Sequence, residues 1–229
     1  MMTEAEHTII VGVTGGGKTT LAEGLTKHCR RIIVLTTKPK AKCFTKGYHE
    51  ARKSVDVLKY IKRNWNSKKG FRIVWRVFSE PGDNNKQIKA LDWICRNLWK
   101  WQQGYADEKD NRQIVLNVDE VQRFFPHSEA QKGHAFTWAV SEGRDWGINL
   151  LVGTQRPVNI HPIFRDNITN FYSLRLSGDA TFKKVNENVG GDHMARLKAI
   201  KQFHYAYFRD KAYIATNNTR KPTINRAFP

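Results

Sequence analysis

Three short stretches hold residues whose types and spacing could do chemistry. Gly12 to Thr19 reads Gly-Val-Thr-Gly-Gly-Gly-Lys-Thr and meets every fixed position of the pattern G-x-x-x-x-G-K-[ST]. Ile114 to Glu120 reads Ile-Val-Leu-Asn-Val-Asp-Glu, an apolar strand pattern that ends in two carboxylates. Gly153 to Pro157 reads Gly-Thr-Gln-Arg-Pro, a strand tip that presents Gln155. Together they describe hydrolysis of a nucleoside triphosphate by a water that a carboxylate activates.

Each residue type suits its part. Glycines let successive backbone N–H groups turn inward and cradle phosphates beside a helix N-terminus. Nucleotide contacts are therefore expected from Thr14, Gly15, Gly16, Gly17, Lys18, Thr19 and Thr20. Lys18 neutralises the β- and γ-phosphates of ATP and so also serves the reaction. Thr19 and Asp119 are the expected Mg²⁺ ligands, Asp119 through a bound water. Glu120 is the expected general base, and Gln155 the group that touches both γ-phosphate and attacking water. A chance glycine turn would not carry a strand before it, a helix after it and Lys-Thr in place. An acidic pair can also be no more than a helix start, since carboxylates suit that end. Beside the glycine loop, the hydrolytic reading is the stronger one.

The positioning elements follow from periodicity. Strands are expected over Thr8–Val13, Arg31–Thr36, Phe71–Phe78, Gln113–Asp119, Ile148–Thr154 and Asn170–Leu176. Helices are expected from Lys18 to about His28, from Ser54 as an N-cap, and from Lys86 to about Gln103 with Ile88, Leu91, Cys95 and Leu98 as the apolar stripe. Further helices are expected around Glu129–Glu142, Thr181–Val189 and Asp192–Ala199. Phe203–Phe208 and Lys211–Thr216 read as a closing hairpin. Strands alternating with helices imply an α/β fold with a mainly parallel sheet covered on both faces. One domain, residues 1–216, is expected, with residues 217–229 as a basic tail.

The chain has 229 residues, 39 Lys and Arg against 21 Asp and Glu, and a net charge of +18. Sixteen of the basic residues lie between Lys27 and Arg76, against only Glu50 and Asp56. So biased a field points to nucleic acid or an anionic surface. The expected DNA contacts are Lys38, Lys40, Lys42 and Lys46, in a loop with Phe44 and Tyr48 interleaved. Contacts of that kind go to phosphate and carry no base information. The other candidate DNA paths are Lys183, Lys184 and Arg196, or Arg220 and Lys221. Cys29, Cys43 and Cys95 lack metal or disulfide spacing, and no apolar run is long enough to span a bilayer. Trp93, Trp99 and Trp101 are expected to pack in the core or between subunits. His127, His134, His161, His193 and His204 are given no role.

The spaced set Gly12–Thr19, Asp119-Glu120, and Gly143-Arg144-Asp145-Trp146-Gly147-Ile148 through Pro157 resembles the FtsK–HerA superfamily of DNA-pumping ATPases. The likeness continues through Arg165-Asp166-Asn167-Ile168 to Leu174-Arg175-Leu176. Among its short members, this chain resembles the genome-packaging ATPases of tectivirus-like, double-jelly-roll icosahedral viruses with an internal membrane. The resemblance implies a RecA-like P-loop NTPase fold, ATP and Mg²⁺ as cofactors, and double-stranded DNA as the substrate. It implies a homo-oligomeric ring, a hexamer, with each site completed by an arginine of the neighbouring subunit. Arg144 is the first candidate for that trans arginine finger and Arg175 the second. Vertex or portal proteins and the internal membrane are the implied further partners, with host cytoplasm and packaging vertex as the location. The competing readings are a filamentous-phage-type assembly ATPase, a small nucleoside or nucleotide kinase, and a purely structural DNA-binding protein.

Overall fold

The structure, a computed structural model, describes residues 4–39, 42–80, 82–126, 133–157, 161–220 and 222. β1 (Thr8–Val11) leads through the glycine loop into α1 (Lys18–Leu25), and β2 (Arg31–Thr36) follows. The three-residue β3 (His49–Ala51) comes before α2 (Ser54–Asn64) and β4 (Phe71–Arg76). α3 (Asn85–Trp101) and the single turn α4 (Gln103–Ala106) lead to β5 (Ile114–Val118), which ends at the acidic pair. Then come α5 (Val121–Phe124), α6 (Ala135–Ser141), β6 (Ile148–Thr154), α7 (Pro162–Asp166) and β7 (Asn170–Leu174). α8 (Asp179–Asn188) and α9 (Met194–Lys198) precede the hairpin β8 (His204–Arg209) and β9 (Ala212–Asn218).

Among the described residues all nine strands form one sheet in the order β3-β4-β2-β5-β6-β1-β7-β8-β9. The pairs from β3 to β7 are parallel, and the two pairs that β8 makes, with β7 and with β9, are antiparallel. The alternation along the strands explains the layers. Ile33 and Leu35 of β2 join one core with Ile9, Val11, Leu116 and Leu150, under α2, α3 and α6. Ile32 and Val34 face the other side with Ile10, Val115 and Leu151, under Leu21, Ala22 and Leu25 of α1. Successive strand residues point to opposite faces, so two buried faces require these near-continuous apolar strands.

Some expected details change. Ser54 is the first residue of α2 and no side chain caps it, the capping position being Lys53. The α3 stripe takes in Ala90 and Ile94, while Ile88 is only half-buried. α6 begins at Ala135, with His134 accepting from the Phe136 N–H as its cap, and His161 caps α7 in the same way. Glu129 and His127 lie outside the described residues. β9 carries regular structure through Asn218, beyond the expected tail boundary, and Thr219 after it is buried.

His7, just before β1, is completely buried. Its Nε2 lies 3.0 Å from the Val140 carbonyl, and the Leu150 N–H donates to Nδ1. That pairing suits the neutral ring, with Nε2–H donating to Val140 and Nδ1 accepting; protonation would set an Nδ1 proton against the Leu150 N–H donor. Burial pushes its pKa from 6.5 down to about 4, with the Arg144 charge acting in the same direction. The unfolded chain takes up this proton near 6.5, the folded one only near 4. Stability is therefore full at neutral pH and falls as pH drops through that window, by up to about 3 kcal/mol. Thermal melts between neutral pH and about pH 5 should show the fall, and His7→Gln should flatten it. Equal slopes in the two proteins would assign the loss to other groups.

Candidate nucleotide site

The sheet order sets the site. β6 lies between β1 and β5, so the strand bearing Gln155 separates the glycine loop from the acidic pair. Three parallel strands thus deliver three motifs to one edge, at their C-terminal ends, where α/β sheets bind ligands. Gly15 and Gly17 hold φ values of 72° and 100°, the left-handed region that glycine tolerates. At Gly17 a Cβ would also lie 3.0 Å from the Thr219 hydroxyl oxygen, so the chain just past β9 flanks the loop.

Lys18 is buried, and its Nζ donates to the Gly12 and Val13 carbonyls at 2.8 and 3.1 Å. Glu120 Oε1 lies 3.9 Å from the same Nζ, with both side chains under a tenth exposed. Burial pushes the Lys18 ammonium below its ordinary 10.5, while the charges of Glu120 and Asp119 hold it up.

Glu120 is the centre of a converging network. The Thr14 hydroxyl donates to Gln155 Oε1 at 2.6 Å, and Gln155 Nε2 donates to Glu120 Oε1 at 2.6 Å. On the other side the Thr154 hydroxyl donates to Gln122 Oε1 at 2.9 Å, and Gln122 Nε2 donates to Glu120 Oε2 at 2.6 Å. Two hydroxyls thus polarise two amides toward one carboxylate. Glu120 also has φ 61° and ψ 58°, a conformation that costs a non-glycine residue about 1–3 kcal/mol. Strain of that kind persists where the surroundings fix a residue for a purpose.

Asp119 Oδ2 accepts from the Thr36 hydroxyl at 3.1 Å and lies 2.8 Å from Lys38 Nζ. The same Lys38 ammonium donates to Thr19 Oγ1 at 2.9 Å. One cation therefore already bridges the two oxygens expected to hold Mg²⁺. Hard oxygen donors gathered around a positive charge are the donor set that Mg²⁺ takes, so the residues fit the ion.

Lys38 is thus turned into the nucleotide site instead of standing with the surface lysines. Lys42 and Lys46 are exposed, and Lys40 lies outside the described residues. The aromatics between them turn inward. Phe44 is buried against α1's face, and Tyr48 lies under the Arg72 guanidinium and accepts its hydrogen bond at 2.6 Å. Arg144 is exposed in the turn between α6 and β6, at the start of β6. The seven residues of β6 put about 20 Å between that turn and the tip that bears Gln155. Arg175 follows β7, and its carbonyl accepts from the Val13 N–H at 3.0 Å, beside the loop of its own chain. Trp93 packs edge-on to Trp75, Trp101 packs on Trp65, and Trp99 is the exposed one of the three.

Thr36, Lys38, Gln122 and Thr154 were not assigned to the site from sequence. β2 lies beside β5, so Thr36 and Lys38 reach Asp119 through a strand pairing that no local pattern records. Gln122 and Thr154 did carry a signal, a polar group one or two residues from Glu120 and Gln155.

None of the known family models matches the sequence, and no curated protein sequence matches it. Solved structures do match. The genome packaging NTPase B204 from Sulfolobus turreted icosahedral virus 2 superposes with a TM-score of 0.67 at 17% identity, over 95% of this chain and 98% of that one. B204, the DNA-packaging ATPase from Sulfolobus turreted icosahedral virus, gives 0.64 at 18% identity, over 90% and 94%. VirB4 of Thermoanaerobacter pseudethanolicus gives 0.67 at 12% identity, over 91% and 87%. The fold implied by the superfamily resemblance is the fold found, and over 90–95% of its length this chain shares it with the viral genome-packaging NTPases B204.

Proposed function

We propose that the chain is an ATPase that drives double-stranded DNA into a preformed viral capsid. The observation that carries the reading is the convergence of Lys18, Glu120 and Gln155 at one sheet edge, on a fold matched along nearly its whole length by a packaging NTPase. That NTPase has been solved with AMPPCP and with ATP-gammaS, which supports ATP as the nucleotide. Thr19 and Asp119 would hold Mg²⁺, which would supply charge neutralisation on the phosphates. Lys18 binds the phosphates, Glu120 takes the proton of the attacking water, and Gln155 aligns that water against the γ-phosphate.

The active form is a ring, a hexamer, and Arg144 acts in trans. Its place at the far edge of the sheet from its own site supports that role, because only a neighbour can present it. Arg175, beside its own loop, supports a cis role. An arginine finger supplies about 10³–10⁵ in rate where such fingers have been measured. Arg144→Ala should therefore bind ATP and hydrolyse it slowly. Mixed with Glu120→Gln subunits it should regain activity, since some interfaces join a wild-type Glu120 to a wild-type Arg144. No recovery in rings shown to be mixed would remove Arg144 from that role.

DNA runs along the exposed lysines, and the motor works in the host cytoplasm and at a capsid vertex beside the internal membrane. Among the described residues no helix is long and apolar enough to cross a membrane. Purified protein should hydrolyse Mg·ATP, faster with duplex DNA of any sequence; absence of DNA stimulation would sink the motor reading. Neutralising Lys42 and Lys46 together should flatten the slope of log K against log[salt] by about 1.8, close to 0.9 per phosphate contact. Binding should weaken alike on unrelated sequences. An unchanged slope would move the DNA path to the other basic segments.

A further inference from the structure

We propose that Lys38 and the divalent cation compete for one place in the site, so that metal-nucleotide loading displaces Lys38 and loosens the segment it anchors. The inference rests on the nucleotide-binding reading above. Lys38 Nζ contacts Thr19 Oγ1 at 2.9 Å and Asp119 Oδ2 at 2.8 Å. Mg²⁺ would need those same oxygens, at about 2.0–2.1 Å for any it ligates directly. Two cations cannot share them, because the ammonium fills the gap and the charges repel. Lys38 can leave: its side chain is 39% exposed, whereas that of Asp119 is 7% exposed.

What Lys38 holds gives the displacement a consequence. Its backbone N–H donates to Thr36 Oγ1, which itself donates to Asp119. Its carbonyl accepts from buried Arg76, and Arg76 pairs with Glu50 on the edge strand β3 at 2.8 Å. Further along, Cys43 Sγ lies 3.8 Å from Thr20 Oγ1, and the Phe44 N–H donates to Glu23 Oε1 at 2.6 Å. The segment thus leans on α1 right after the phosphate loop and on Asp119. When the cation takes the Lys38 place, the side-chain tie to Thr19 and Asp119 goes and the backbone ties to Thr36 and Arg76 are left to hold the residue. The exposed lysines Lys42 and Lys46 ride on the same segment, so site loading changes how they are presented.

Two measurements test this. The first titrates Mg²⁺ against a fixed concentration of fluorescent ATP-gammaS, in wild type and Lys38→Met. Without an ammonium to expel, the variant should need about tenfold less Mg²⁺ at the midpoint, roughly what one charge-assisted pair contributes. An unchanged or higher midpoint overturns the competition. The second needs no substitution. Cys29 and Cys95 are buried and Cys43 is half-exposed, so alkylation located by mass spectrometry reports Cys43. Mg²⁺ with ATP-gammaS should speed Cys43 labelling severalfold over ATP-gammaS with a chelator. Equal rates overturn the loosening. If the wild type fails to bind the nucleotide at all, the underlying reading fails. If it binds with an unmoved midpoint, only this inference does.

Discussion

Glu120→Gln is expected to keep ATP binding and to lose about 10²–10⁴ in turnover, the usual contribution of a positioned general base. The substitution is structurally mild. Glu120 accepts from Gln155 Nε2 and Gln122 Nε2, and each of those amides can rotate to offer its oxygen to an introduced amide. The left-handed backbone at Glu120 is retained, because Gln and Glu have the same branching. Binding survives because Lys18 draws its nearest contacts from the Gly12 and Val13 carbonyls, with Glu120 farther off at 3.9 Å. What goes is the carboxylate on which the Gln155 and Gln122 amides converge. Equilibrium binding of a fluorescent nucleotide and steady-state phosphate release separate the two effects. Parallel loss of both would make Glu120 a nucleotide ligand instead of a base.

The same residues show what a sequence can reveal. Lys18, Thr19, Asp119, Glu120 and Gln155, which the structure brings to one sheet edge, are candidates that a sequence can offer because each sits in a local run whose spacing has a physical reason. The strands and most helices could be read too, since nearly every strand is buried on both faces and is apolar along its length. Lys38 could not. Its role depends on β2 pairing with β5, a contact 83 residues apart between Thr36 and Asp119. By composition it is one lysine in a basic run, and charge alone favours the surface for all of them. Phe44 and Tyr48 misled for the same reason. Aromatics among lysines resemble a nucleic-acid surface, yet the face under α1 is short of cover and takes them inward. β3 is three residues long and polar at two of them, too short to have a period. Arg144 is the converse case: the motif marks it, and the fold shows only that it stands far from the site of its own chain.

Lys18→Ala is expected to remove both binding and hydrolysis. The ammonium is the only buried cation among the described residues that lines the glycine loop. Charge-assisted hydrogen bonds contribute about 1.5–3 kcal/mol each, so losing the contacts to two phosphates weakens binding by about 10²-fold or more. Loss of charge stabilisation during transfer removes a further factor of about 10²–10³. The fold should persist, because the Gly12 N–H keeps the Thr154 carbonyl, the Val13 carbonyl keeps the Gly16 N–H and Glu120 keeps its two amide donors. A melting temperature close to wild type, with nucleotide binding below detection, is the expected pair of results. The direction of the Lys18 shift adds a check. Burial lowers its pKa from 10.5, so wild-type nucleotide affinity should decline at a lower alkaline pH than an exposed lysine would dictate. Wild-type hydrolysis rates in Lys18→Ala would place the nucleotide elsewhere and undo the assignment of Thr19, Asp119 and Glu120 with it.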